Sequence, residues 1–183
     1  MSRIVPLDAA TADERQREPA GDGEVGARRN PEHDDHDGPL SGARGLARVN
    51  AALRKGAISG ADAERIALGV AEENTCSYCL SAHSYLAANL ARLGPEERER
   101  ARHFDSADPQ SAGILAFARA VLDGRGEVGD QEFQAARDAG LTDAQLSEIV
   151  GHVAINVLTN YFNKAFRVEV DFPLVEAHQH AEV

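Results

Sequence analysis

Across residues 49–166 one pattern recurs: a capping side chain, apolar residues three and four apart, then a glycine or Gly-Pro stop. Only the α-helix brings residues at that spacing onto one face, so the punctuation confines the chain to packed helices. Residues 49–55 read as the end of a helix stopped at Gly56. Ser59, with Asp62 three positions on, resembles a capping box opening a helix through Ala63, Ile66, Ala67 and Val70 to about Glu73. The next helix begins near Thr75 and carries Leu80, Leu86 and Leu90 to Leu93, with Gly94-Pro95 as left-handed cap and stop. Residues 96–103 predict a short charged helix. Residues 111–122 predict one with Ile114, Leu115, Phe117, Ala118, Val121 and Leu122 on a broad apolar face, ended by Gly124 and Gly126. Residues 130–139 follow, closed by Gly140. Thr142-Asp143-Ala144-Gln145 then opens the longest helix, through Ile149, Val153, Val157 and Tyr161 to roughly Phe166. No alternating pattern is longer than residues 168–172, so the expected fold class is all-α.

The 183 residues suffice for one domain with a core of its own. All six Phe and all three Tyr lie at or after Tyr78, so the aromatic core material is confined to the latter part of the chain. Residues 19–45, by contrast, are rich in Gly and Pro and hold the charge cluster Glu32-His33-Asp34-Asp35-His36-Asp37. Such a stretch buries too little apolar surface to offset the entropy of ordering it, and disorder is expected there. The organisation expected is an N-terminal segment 1–48, a helical domain 49–175 and a tail 176–183, with His178-Gln179-His180 an unstructured end.

A net charge of -11 argues against a surface that tracks phosphates, so neither nucleic acid nor an anionic membrane is an expected partner. The chain has no apolar run of membrane-spanning length and no apolar core behind Met1, which predicts a cytoplasmic protein. In a reducing compartment two cysteines make a poor structural staple, and a bridge across two intervening residues closes too small a loop to stabilise much. Chemistry is the stronger reading of Cys76 and Cys79.

A thiol attacks as its thiolate, so a reactive cysteine needs a lowered pKa and a group that moves protons. Cys76 and Cys79 are three apart, which on a helix puts them on one side, near free N–H groups that favour a thiolate. His83 lies one turn beyond Cys79, and Glu64 is a carboxylate on the otherwise apolar face of Ala63, Ile66 and Ala67. The dipole favours Cys76 as the more acidic thiol, whereas the base and carboxylate are placed for Cys79. Two plainer readings stand beside this one: a pair of small buried core residues, or a Cys76, Cys79 and His83 zinc set, for which only the distant His103 or His152 offers a fourth ligand. His152 reads as a core or interface histidine, and Asn160 and Asn163 as residues that cap or bridge helices.

Glu64, then twelve positions on the run Cys76-Ser77-Tyr78-Cys79-Leu80-Ser81-Ala82-His83, resembles the alkylhydroperoxidase D and carboxymuconolactone decarboxylase superfamily. The similarity runs over residues 49–175, and Asn160-Tyr161-Phe162-Asn163 with Asp171-Phe172-Pro173 resembles the signature of its peroxidase-related subgroup. The resemblance implies an all-α helical bundle and a thiol-dependent peroxidase that takes hydroperoxides and a dithiol reductant. It needs no cofactor or metal and assembles as a homo-oligomer, trimer or hexamer. Cys79 would attack the peroxide and Cys76 resolve the sulfenic acid, while Glu64 and His83 relay the proton. Alkylhydroperoxidase D itself has a histidine directly before the second cysteine, where this chain has Tyr78. Decarboxylases of the superfamily generally lack the cysteine pair, and a redox-sensing module is the non-enzymatic alternative.

The resemblance also implies a helical segment with a Thr-Pro-Asn turn and several Met before Val49. The codons of residues 30–39, read one nucleotide later, can spell Thr-Pro-Asn-Met-Met-Thr-Met-Met-Ala-His, so residues 19–48 read as a frameshifted stretch.

Overall fold

A computed structural model of the chain describes residues 42–178, with side chains from Gly45 onward. Seven helices make up the described part: α1 (Gly42–Leu53), α2 (Gly60–Glu73), α3 (Ser77–Asn89), α4 (Pro95–Arg102), α5 (Pro109–Asp123), α6 (Asp130–Asp138) and α7 (Asp143–Phe166). No strand occurs among the described residues, and the fold is all-α. None of these helices is long and apolar enough to cross a membrane. The disorder expected for residues 19–45 and the frameshift reading of residues 19–48 fall mostly outside the described residues. Where they overlap them, residues 42–48 lie in α1.

The caps follow the expected chemistry. Ser59 accepts a hydrogen bond from the Asp62 N–H and opens α2. Asp108 does the same for Ser111 ahead of Pro109, whose missing N–H costs nothing at a helix start. Thr142 and Gln145 form a reciprocal capping box on α7.

α2 is the central element, packed against α3, α4, α5 and α7. One face of it sends Ile66 and Val70 into a core with Ile114, Leu115, Phe117 and Val121 of α5 and Ile149 and Val153 of α7. Its other face sends Leu68 and Ala71 into a second core that holds Cys76 and, from α3, Tyr78, Cys79 and Leu80. Each such side chain contributes about 1.5–3 kcal/mol on burial, so α2 is held from both sides.

Four details depart from the sequence reading. α3 ends at Asn89, and Leu90, expected on its apolar stripe, is 63% exposed. The left-handed residue after α3 is Arg92 (φ 56); Gly94 is extended (φ -64) and serves as N-cap of α4, with Pro95 as its first residue. Tyr161 is 60% exposed, because the inward face at that end of α7 is polar: Asn156, Thr159, Asn160 and Asn163 are buried instead. Residues 168–178 form an irregular tail that stays on the body. Phe172 packs edge-on against Tyr78, and the Val175 N–H donates to the Ser81 hydroxyl at 2.9 Å. His178 is part of this attachment, since its N–H donates to Glu72 Oε1 at 2.7 Å, while residues 179–183 lie outside the described residues. The expectation of an unstructured end therefore fails at His178, because a buried carboxylate supplies its backbone with a partner.

Candidate functional site

The connection from α2 to α3 is a sharp turn. Asn74 closes α2, and Thr75 takes φ 50, a left-handed conformation costly for a β-branched residue. Lys164 of α7 braces it, donating from Nζ to the Asn74 carbonyl at 2.6 Å and to Thr75 Oγ1 at 3.0 Å. Cationic Lys164 also complements the negative end of α2. The turn delivers Cys76 as the N-cap of α3, one residue before the first turn on which the sequence reading placed it. Its sulfur accepts the Cys79 N–H at 3.3 Å, a role ordinarily filled by a Ser, Thr, Asp or Asn oxygen. Cys76 and Cys79 are paired as a disulfide with Cα atoms 5.3 Å apart.

Both cysteines are buried. Cys79 Sγ receives a hydrogen bond from Asn163 Nδ2 of α7 at 3.4 Å, so the second sulfur also has a donor that stabilises negative charge. His83, one turn along α3, has Nδ1 2.9 Å from Glu64 Oε2 of α2, with the two side chains 17% and 21% exposed. The constellation is thus a buried Cys76–Cys79 disulfide with a partly exposed imidazole–carboxylate pair whose histidine lies one turn along α3. Glu64 thereby fixes the orientation of the imidazole through Nδ1. Tyr78 is buried under the tail by its contact with Phe172.

His152 of α7 is buried, and its Nε2 has no hydrogen-bond partner among the described residues. Burial pushes its imidazole below the ordinary histidine range, with the nearby carboxylates of Glu148 and Glu64 pulling it back up. His152 is therefore a neutral core histidine within electrostatic reach of Glu64. Asn156, Thr159, Asn160 and Asn163 continue its face. Asn160 Oδ1 accepts from Asn74 Nδ2 at 3.2 Å and ties α7 to the turn before Cys76.

Of the expected residues, Cys76 is paired with Cys79 and Glu64 with His83. His103, considered as a distant fourth ligand to a Cys76, Cys79 and His83 set, caps α4 beside Glu99. The contact that sequence reasoning missed is Asn163 to Cys79. Its signal was present in the helical spacing of His152, Asn156, Asn160 and Asn163, polar residues on one face of an otherwise apolar helix.

A structure of an alkylhydroperoxidase AhpD core, an uncharacterized peroxidase-related protein from Ralstonia eutropha JMP134, superposes with a TM-score of 0.67 at 21% identity over 75% of each chain. The fold is AhpD-like. An uncharacterized peroxidase-related protein from Silicibacter sp. TM1040 shares this AhpD-like architecture with a TM-score of 0.63 at 21% identity, over 69% of each chain. The debrominase Bmp8, in complex with 2,3,4-tribromopyrrole, matches with a TM-score of 0.69 at 18% identity over 93% of this chain and 94% of its own. No protein-family model and no curated protein matches the sequence.

Proposed function

We propose that this chain is a thiol-dependent peroxidase that cycles Cys76 and Cys79 between dithiol and disulfide. The observation that carries the reading is the pairing of those cysteines at the start of α3 with the Glu64–His83 pair one turn away. In the reduced enzyme the Cys79 thiolate attacks the distal oxygen of a hydroperoxide, ROOH. The O–O bond breaks, Cys79 becomes a sulfenic acid, and the departing alkoxide takes a proton from His83, which Glu64 holds in place. Cys76 then attacks the sulfenic sulfur and expels water, which forms the disulfide. A dithiol donor reduces it and is itself oxidised. Asn163 supports negative charge on Cys79 Sγ, and the N-cap position supports it on Cys76 Sγ.

The test is peroxide consumption by the reduced chain with dithiothreitol as donor, compared with Cys79→Ser and Cys76→Ser. Loss of turnover in Cys79→Ser, with a sulfenic acid trapped at Cys79 in Cys76→Ser, supports the cycle. Undiminished turnover in Cys79→Ser would refute it. A second reading draws on the debrominase neighbour, which spans more of this chain than either peroxidase-related one. The same dithiol could reduce a carbon–bromine bond, with two thiols supplying the electron pair, a proton replacing bromine, and bromide and disulfide as products. Bromide release from a brominated pyrrole, in the absence of peroxide turnover, would favour it.

A further inference from the structure

Away from the dithiol, Glu99 and His103 sit on successive turns at the end of α4, and the tail brings His178 against them. One carboxylate oxygen, Glu99 Oε1, lies 3.4 Å from His103 Nε2 and 3.3 Å from His178 Nε2, and the two imidazoles stack at 9° with centroids 5.3 Å apart. All three donor atoms fall within 4.8 Å of one another. Charge-assisted N–H···O bonds run to about 2.7–2.9 Å, so these separations are long for direct ion pairs. They match the edge of a tetrahedral zinc site, where ligands about 2.0–2.1 Å from the metal lie roughly 3.3–3.4 Å from each other. The two imidazole donor atoms lie within 4.8 Å of each other, on side chains that are about half exposed or more.

The surroundings are built for the same end. His178 Nδ1 is 3.4 Å from Glu72 Oε1, the oxygen that also accepts the His178 N–H. Glu72 is buried, and its other oxygen takes Arg102 Nε at 2.7 Å, which fixes it. An imidazole with one nitrogen toward a metal and the other toward a fixed carboxylate is the usual support of a zinc-ligating histidine. Two carboxylates, Glu72 and Glu99, against the single guanidinium of Arg102 leave the cluster net negative.

We propose that Glu99, His103 and His178 form a zinc site with one open position, whose occupancy fastens the C-terminal tail to α4. The donor set, two imidazoles and a carboxylate, is of the class that binds zinc, and one ligand comes from the tail while two come from the bundle. Filling the site therefore couples metal binding to docking of residues 168–178, which pack against the core that holds Cys76 and Cys79. The site stands independently of the peroxidase reading and is measured without turnover.

The experiment is calorimetric titration of zinc chloride into the full, chelator-stripped chain in its disulfide form, in which the cysteines cannot serve as ligands. One zinc per chain is expected, with affinity at least tenfold weaker in each of His103→Ala, Glu99→Gln and His178→Ala. All three side chains are about half exposed or more, so the variants fold. Hydrogen exchange over residues 168–178 is expected to slow on adding zinc to the wild type and to stay unchanged in His103→Ala. Absence of zinc binding by the disulfide form overturns the proposal. So does loss of zinc in His178→Ala with retention in both His103→Ala and Glu99→Gln, which would place the metal on the His178-Gln179-His180 end alone.

Discussion

At the scale of single residues, the site separates groups that touch sulfur from groups that act through another side chain. Asn163 touches Cys79 Sγ, so Asn163→Ala is expected to raise the Cys79 thiol pKa in the reduced chain, read from the pH dependence of iodoacetamide labelling. Glu64 touches His83 and, in the proposed cycle, acts through it. Glu64→Gln is expected to lower peroxide turnover by about 10- to 100-fold, at or below the lower end of a direct general acid–base contribution, and to shift the pH profile of the rate. A purely structural carboxylate would lower stability and leave the profile in place. His152 makes a different prediction. Its folded-state pKa lies below its unfolded value of about 6.5, so the unfolded chain binds the proton more readily and stability falls as pH drops below that value. Urea denaturation at pH 7.5 and pH 5.5 is expected to show a smaller pH-dependent loss in His152→Gln than in the wild type. The depressed carboxylates of Glu97 and Asp108 lose their contributions only at lower pH, below their ordinary ranges, so the two windows are separable.

At the scale of elements, α2 pays for its central place with a glycine in mid-helix. A Cβ on Gly69 would come within 2.8 Å of Phe104 Cε1, a ring buried in the core beside Ile66 and Val70. Alanine is the better helix former by about 1 kcal/mol, yet the clash with a packed aromatic is expected to dominate. Gly69→Ala should destabilise the chain by about 1–3 kcal/mol, seen as a lowered denaturation midpoint. Most helix limits were legible in advance because caps act locally: Ser59 and Thr142 each bond an N–H three residues on, whereas the Asp108 cap starts α5 two residues before the expected Ser111. The end of α3 was not legible. Leu90 continues the apolar spacing, but the chain turns at Arg92 so that Leu93 can enter the second core.

At the scale of the whole molecule, Glu72 joins three parts of the chain. This buried carboxylate of α2 holds Arg102 of α4 and the backbone of His178 in the tail. Glu72→Ala leaves the guanidinium without its buried partner and is expected to cost about 3–5 kcal/mol. It should also speed proteolysis within residues 168–178, a second readout that a local packing loss in α2 would leave unchanged. Glu148 makes a comparable join at the other end, accepting the Ala57 and Ile58 N–H groups at 2.6 and 2.9 Å and tying the chain after α1 to α7.

The helical class and the nearness of Cys76 and Cys79 were determined by sequence alone, because both depend on spacing within a helix, while the link from Glu64 to His83 was implied by the family resemblance. Cap chemistry and 3.6-residue periodicity carry that information over distances of a few residues. Tertiary structure decided which way α7 turns. An apolar stripe running on past Val157 to Tyr161 was the natural reading, yet packing buries Asn156, Thr159, Asn160 and Asn163, of which Asn160 meets Asn74 and Asn163 meets Cys79 across more than eighty residues of chain. It also decided that His178 rests on Glu72 and faces Glu99. No local pattern predicts that contact, which joins residues 106 apart. The dithiol was written in the spacing of four residues, and the groups that surround its sulfurs were settled by packing.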